Sequence, residues 1–84
     1  GANIFDSRTF KVFPNPAGDY IFIEHPVENV EKMKYDIYSI SGRHFYNGSF
    51  ENDSKINISS FPKGTYLIRF GSTNQSLIMK FVKQ

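Results

Sequence analysis

Residues 62–70 leave the chain little choice of local structure. Pro62-Lys63-Gly64 is turn chemistry, because proline pre-sets its own backbone angle and glycine admits conformations closed to other residues. The run that follows places Tyr66, Ile68 and Phe70 two residues apart. That period puts all three on one face of a β-strand and fits no helix.

The same grammar recurs along the chain. Runs with β character are expected at 9–13, 20–24, 33–40, 44–50, 55–58, 64–70 and 76–82, separated by Pro, Gly, Asn, Asp and Ser. Pro14-Asn15-Pro16-Ala17 ends the first run, since two prolines cannot donate to a ladder. Ser41-Gly42 is a two-residue hairpin signal. Asn47-Gly48 suggests a bulge or an early turn within the fourth run. Residues 71–75 read as a hairpin loop. Val27, Val30 and Met33 could lie on one helical turn, but Pro26 and Asn29 favour a loop. Short strands at this spacing, with no helical stretch to supply crossovers, predict an all-β, seven-stranded antiparallel immunoglobulin-like β-sandwich. The period-two pattern nominates Val12, Ile21, Ile23, Tyr35, Ile37, Ile56, Ile58, Tyr66, Ile68 and Phe70 as its core.

At 84 residues the chain makes one small domain, read as an upstream linker over 1–8 and a folded unit over 9–84. It contains no cysteine, so neither a disulfide nor a thiolate metal site can staple it. Nine Phe and five Tyr must supply the core instead. The net charge is +2, with ten basic residues scattered among eight acidic ones. No dense basic stripe suggests a nucleic-acid partner. No apolar run approaches the roughly 20 residues that span a bilayer as a helix.

The chemistry-bearing residues form no complete constellation, and no catalytic, cofactor or metal site is expected. A nucleophile needs a base within reach, yet His25 sits in a polar loop and His44 on a strand, each apart from any such motif. Glu28 and Glu31 read as a solvated loop. Glu51, Asn52 and Asp53 lack the full spacing of a calcium loop. Four Asn-x-Ser triplets, at Asn47, Asn52, Asn57 and Asn74, are ordinary turn composition. Tyr20, Tyr35, Tyr38, Tyr46 and Tyr66 could form a stacking platform for sugars, with Tyr38 the best candidate for exposure; the competing reading places most of them in the core or at its rim. Lys63, Arg69, Lys80 and Lys83 cluster in the last quarter of the chain. They serve either edge protection or recognition.

One ordered set of motifs narrows the function. Phe13-Pro14-Asn15-Pro16-Ala17 precedes Asp19-Tyr20-Ile21-Phe22-Ile23. Tyr35-Asp36-Ile37-Tyr38 runs on to Gly42-Arg43. Ile56-Asn57-Ile58-Ser59 leads into Phe61-Pro62-Lys63-Gly64-Thr65-Tyr66, and Lys80-Phe81-Val82-Lys83 closes the chain. This layout resembles the type A C-terminal sorting domain of the type IX secretion system of Gram-negative bacteria, with Phe61 in place of the usual Leu and Asn57 in place of the frequent Asp. The resemblance implies a non-enzymatic secretion signal, recognised in folded form by the outer-membrane translocon. It implies a cargo domain N-terminal to this one in a precursor that reaches the periplasm by an ordinary signal peptide. It also implies removal by a sortase-like cysteine peptidase within or before residues 1–7, and a cargo that is secreted or held at the cell surface. Recognition is expected at Lys63, Gly64, Tyr66, Arg69, Lys80 and Lys83. Pro14, Asn15, Pro16, Gly42, Pro62 and Gly64 are expected to serve the scaffold. The alternative function is a carbohydrate-binding or adhesive β-sandwich module.

Overall fold

The computed structural model of the chain describes residues 10–24, 33–50, 53–71 and 76–84. It contains seven strands: β1 (Lys11–Phe13), β2 (Tyr20–Glu24), β3 (Met33–Ser39), β4 (His44–Phe50), β5 (Asp53–Asn57), β6 (Gly64–Gly71) and β7 (Ser76–Lys83). They form two antiparallel sheets, a smaller one ordered β1-β2-β5 and a larger one ordered β4-β3-β6-β7. The expected all-β sandwich is what forms. The expectations for 1–8, for a helical turn over 25–32 and for the loop at 71–75 fall largely or wholly outside the described residues.

The core lies between the sheets and follows the alternation of side chains along each strand. Ile21 and Ile23 from the smaller sheet meet Tyr35, Ile37, Tyr66, Ile68 and Phe70 from the larger one, all buried. Of the nominated core, Val12 alone is only half-buried, packed against the cluster from the short edge strand β1. Phe10, Ala17, Phe61 and Phe81 are buried outside the nominated set. The first three have weak strand context, since Phe10 precedes its strand and Ala17 and Phe61 sit in turns, whereas Phe81 lies in the inward phase of β7. Phe10 stacks on Phe70 with centroids 4.9 Å apart. At one end of the sandwich Phe45, Phe61, Tyr66 and Phe81 form a continuous aromatic group, with Phe61 and Tyr66 5.3 Å apart and Tyr66 stacked on Phe81 at 5.5 Å. Phe61 thus extends the core at this end, its ring against Phe45 and Tyr66.

Two local expectations are corrected. The β3–β4 connection is a three-residue loop, Ile40-Ser41-Gly42, closed by Ser39 N–H donating to Arg43 O at 2.8 Å and Gly42 N–H donating to Ser39 O at 2.9 Å. Gly42 takes the positive φ of 96° that ends such a loop. The irregularity in β4 lies upstream of Asn47-Gly48. Tyr38 pairs with His44 and Ile37 with Tyr46, so Phe45 is the extra residue of a bulge and packs toward the core, while the strand runs straight through Gly48.

Candidate functional site: the closing hairpin and its edge

β6 and β7 pair along their whole length, from Gly64 with Lys83 to Gly71 with Ser76. The turn entering β6 is held by its own residues. The Tyr66 hydroxyl donates to the Pro62 carbonyl, and Gly64 adopts a φ of 152°, which side chains rarely allow. Burial raises the Tyr66 pKa, with the nearby Arg43 charge acting against it. Upstream, Asn57 Oδ1 accepts from the Ser59 amide at 2.9 Å and from the Ser59 hydroxyl at 2.7 Å. This Asx-type turn is what an Asn or Asp at position 57 is suited to make.

β7 is an edge strand of the larger sheet, and the Pro14–Ala17 segment covers its terminal half. The two peptide bonds preceding Pro14 and Pro16 are cis. Between them, Asn15 Oδ1 accepts from the Val82 amide at 2.9 Å, and Asn15 Nδ2 makes a long contact of 3.5 Å to the Lys80 carbonyl. Ala17 N–H donates to Val82 O at 2.7 Å and Ala17 O accepts from Gln84 N–H at 2.8 Å. Ala17 is itself fully buried. The Pro-Asn-Pro-Ala motif near the start and the strand at the end are thus two halves of one device.

The residues expected to carry recognition separate into two groups. Lys63, Arg69 and Lys80 are exposed, as is the Gly64 backbone. Arg69 pairs with the 58% exposed Ile78, and Lys80 with Leu67, on the outer face of the hairpin. Tyr66 is a core residue. Lys83 is only 8% exposed; its stem is buried and its Nζ donates to Gln84 O at 2.8 Å. Sequence alternation alone could have shown this, because Lys83 shares the inward phase of Phe81.

The five tyrosines do not make a platform. Tyr35 and Tyr66 are buried, Tyr38 is half-buried edge-on to His44, and the exposed Tyr20 and Tyr46 belong to different sheets. The exposed aromatic strip lies instead on the smaller sheet, where Phe13 stacks on Phe22 at 5.7 Å and Lys55 Nζ sits 4.1 Å above Tyr20. Tyr35 lies across Gly48, and burial first, then the charge and hydrogen bond of Tyr46, push its pKa up to about 12.

Sequence reasoning missed one polar pair: His44 Nε2 lies 3.1 Å from Asp36 Oδ1 on the surface. The β3–β4 hairpin brings them together as near-neighbours across the strands. No hydroxyl hydrogen-bonds this imidazole among the described residues, so the pair has no nucleophile to activate. His25, Glu28, Glu31, Glu51 and Asn52 lie outside the described residues. Among those described, no three His, Asp or Glu side chains converge as metal ligands would.

The site is therefore structural: a compact β-sandwich whose C-terminal hairpin is fixed at one edge by a proline-bracketed asparagine and presents cations on its outer face. Residues 11–84 match the family of secretion system C-terminal sorting domains, and the chain belongs to that family. It is a family of sorting signals for type IX secretion, not of enzymes, and its members direct export to the cell surface or beyond. No curated protein matches the chain.

Proposed function

We propose that this domain is a secretion signal that the type IX translocon reads in its folded state, at the outer face of the β6–β7 hairpin. The family match over residues 11–84 carries the reading. Support for the surface comes from Arg69 and Lys80, which are exposed on that face and form no ion pair among the described residues. Cations at a rim chiefly set encounter rate and selectivity. Cargo sits N-terminal to the domain, and a sortase-like cysteine peptidase severs the two within or before residues 1–7.

The test is a fusion of the domain to a periplasmic reporter in a host that has the secretion system. The parent fusion reaches the surface. Arg69→Ser with Lys80→Ser, checked for unchanged melting, slows export several-fold. Export at the parent rate would mean that the signal lies elsewhere on the fold. Lys83 is left intact, because its burial would confound recognition with stability.

A second reading rests on the strip formed by Phe13, Phe22, Tyr20 and Lys55. Exposed rings beside a cation suit stacking on a sugar. Titration with outer-membrane polysaccharide, followed by tyrosine fluorescence, would change the Tyr20 signal if the strip binds glycan.

A further inference from the structure

Among the described residues, the edge of β7 is covered over only half its length. Val82 N–H and C=O point away from β6, toward Asn15 and Ala17, and Gln84 N–H does the same. Because the direction of hydrogen bonding alternates along an antiparallel strand, Ile78 N–H and C=O and Lys80 N–H face outward as well. β7 has no neighbour on that side in the sheet order, and no hydrogen bond from a described residue reaches these groups. The Pro14–Ala17 segment thus leaves a short window of open ladder over 76–80 and closes it firmly at Val82.

We infer that this window accepts an extended, acidic strand of a partner protein, which adds to the larger sheet beside β7 with the Asn15 plug as its register stop. Exposed edges are templates for strand addition. The side chain at the centre of the window, Ile78, is 58% exposed and offers an apolar contact. Arg69 opposite it and Lys80 beside it supply positive charge, and Asp36, the acidic residue paired with Arg69 on β3, hydrogen-bonds His44 and makes no ion pair with Arg69 among the described residues. A second copy of the chain fits less well. Two windows paired about Ile78 would set Ser76 against Lys80 and leave the cations of both copies uncompensated. The inference rests on the proposed function only for the identity of the partner.

Two experiments separate the inferences. In the first, the chain is titrated with a capped peptide alternating glutamate and valine while backbone amides are followed by NMR. The Ile78 and Lys80 amides shift, and their hydrogen exchange slows by about tenfold at saturation, while Val82 is unaffected. Ile78→Pro removes only an outward-facing donor, which an edge strand tolerates, and abolishes the response. Ile78→Val preserves it, which keeps the test valid should the proline variant fold poorly. Absence of shifts at Ile78 and Lys80 would overturn the inference, as would shifts produced by raising protein concentration alone, which would assign the window to a second copy. In the second experiment, the reporter fusion carries folded Ile78→Pro and its export falls several-fold. Export of Ile78→Pro at the parent rate would remove the window from sorting. A parent fusion retained in the periplasm would overturn the sorting reading and leave the peptide result standing.

Discussion

A β-carbon added at Gly48 would lie 2.6 Å from the Tyr35 hydroxyl and 2.8 Å from its ring carbon Cζ. The absent side chain is therefore a seat for the ring across the β3–β4 pair. Gly48→Ala should displace a buried ring and destabilise the domain by about 1–3 kcal/mol, measured by urea unfolding. The same tyrosine makes stability depend on pH. Its folded pKa of about 12 lies above the unfolded value near 10, so the folded state holds its proton longer. This contribution is complete below pH of about 10 and is lost as pH rises through about 12. Tyr66 shifts in the same direction. Urea midpoints should fall between pH of about 10 and 12, and Tyr35→Phe should flatten that fall.

Among the elements, β7 shows how a distant segment completes a strand. Asn15 works on the edge of a strand 65 residues further along the chain, through the Val82 amide and the Lys80 carbonyl. Asn15→Ala should cost about 0.5–2 kcal/mol and leave Val82 N–H open to exchange, while the Ala17 bonds keep the strand in place. Hydrogen exchange at Val82, compared with a β6 amide such as that of Ile68, measures the effect. A unit so closed explains why terminal lysines are not all equivalent. Lys80 stands in the outward phase of β7, whereas Lys83 stands in the inward phase beside the buried Phe81.

For the whole molecule, stability depends on the single core between the sheets, since no disulfide is available. Ile68 is fully buried at the centre of β6, the strand flanked by β3 and β7. Ile68→Ala should cost about 2–5 kcal/mol, a large share of what a domain of this size commands. Calorimetry should show a single, much lower transition. A translocon that reads the folded state would export such a variant poorly at temperatures near its midpoint, even though its surface residues are unchanged.

The strands of this protein were legible in the chain, because side chains that must alternate between core and water print a period of two wherever a strand is half-buried. Tyr66, Ile68 and Phe70, and likewise Ile21 and Ile23, carry that period and are buried as it requires. The motif order also carried the family, which the match over residues 11–84 bears out. What the chain could not disclose were relations between residues distant in sequence. The Tyr35 ring over Gly48, the His44–Asp36 pair and the bulge at Phe45 depend on how β3 and β4 are registered. Asn15 looked like a turn residue and is one, but its second role on β7 exists only because the sandwich folds the two ends of the chain together. Periodicity is a local property, set by each residue and its near neighbours. Which polar groups on an edge are covered and which stay open is decided by tertiary structure alone, because the covering atoms come from elsewhere in the chain.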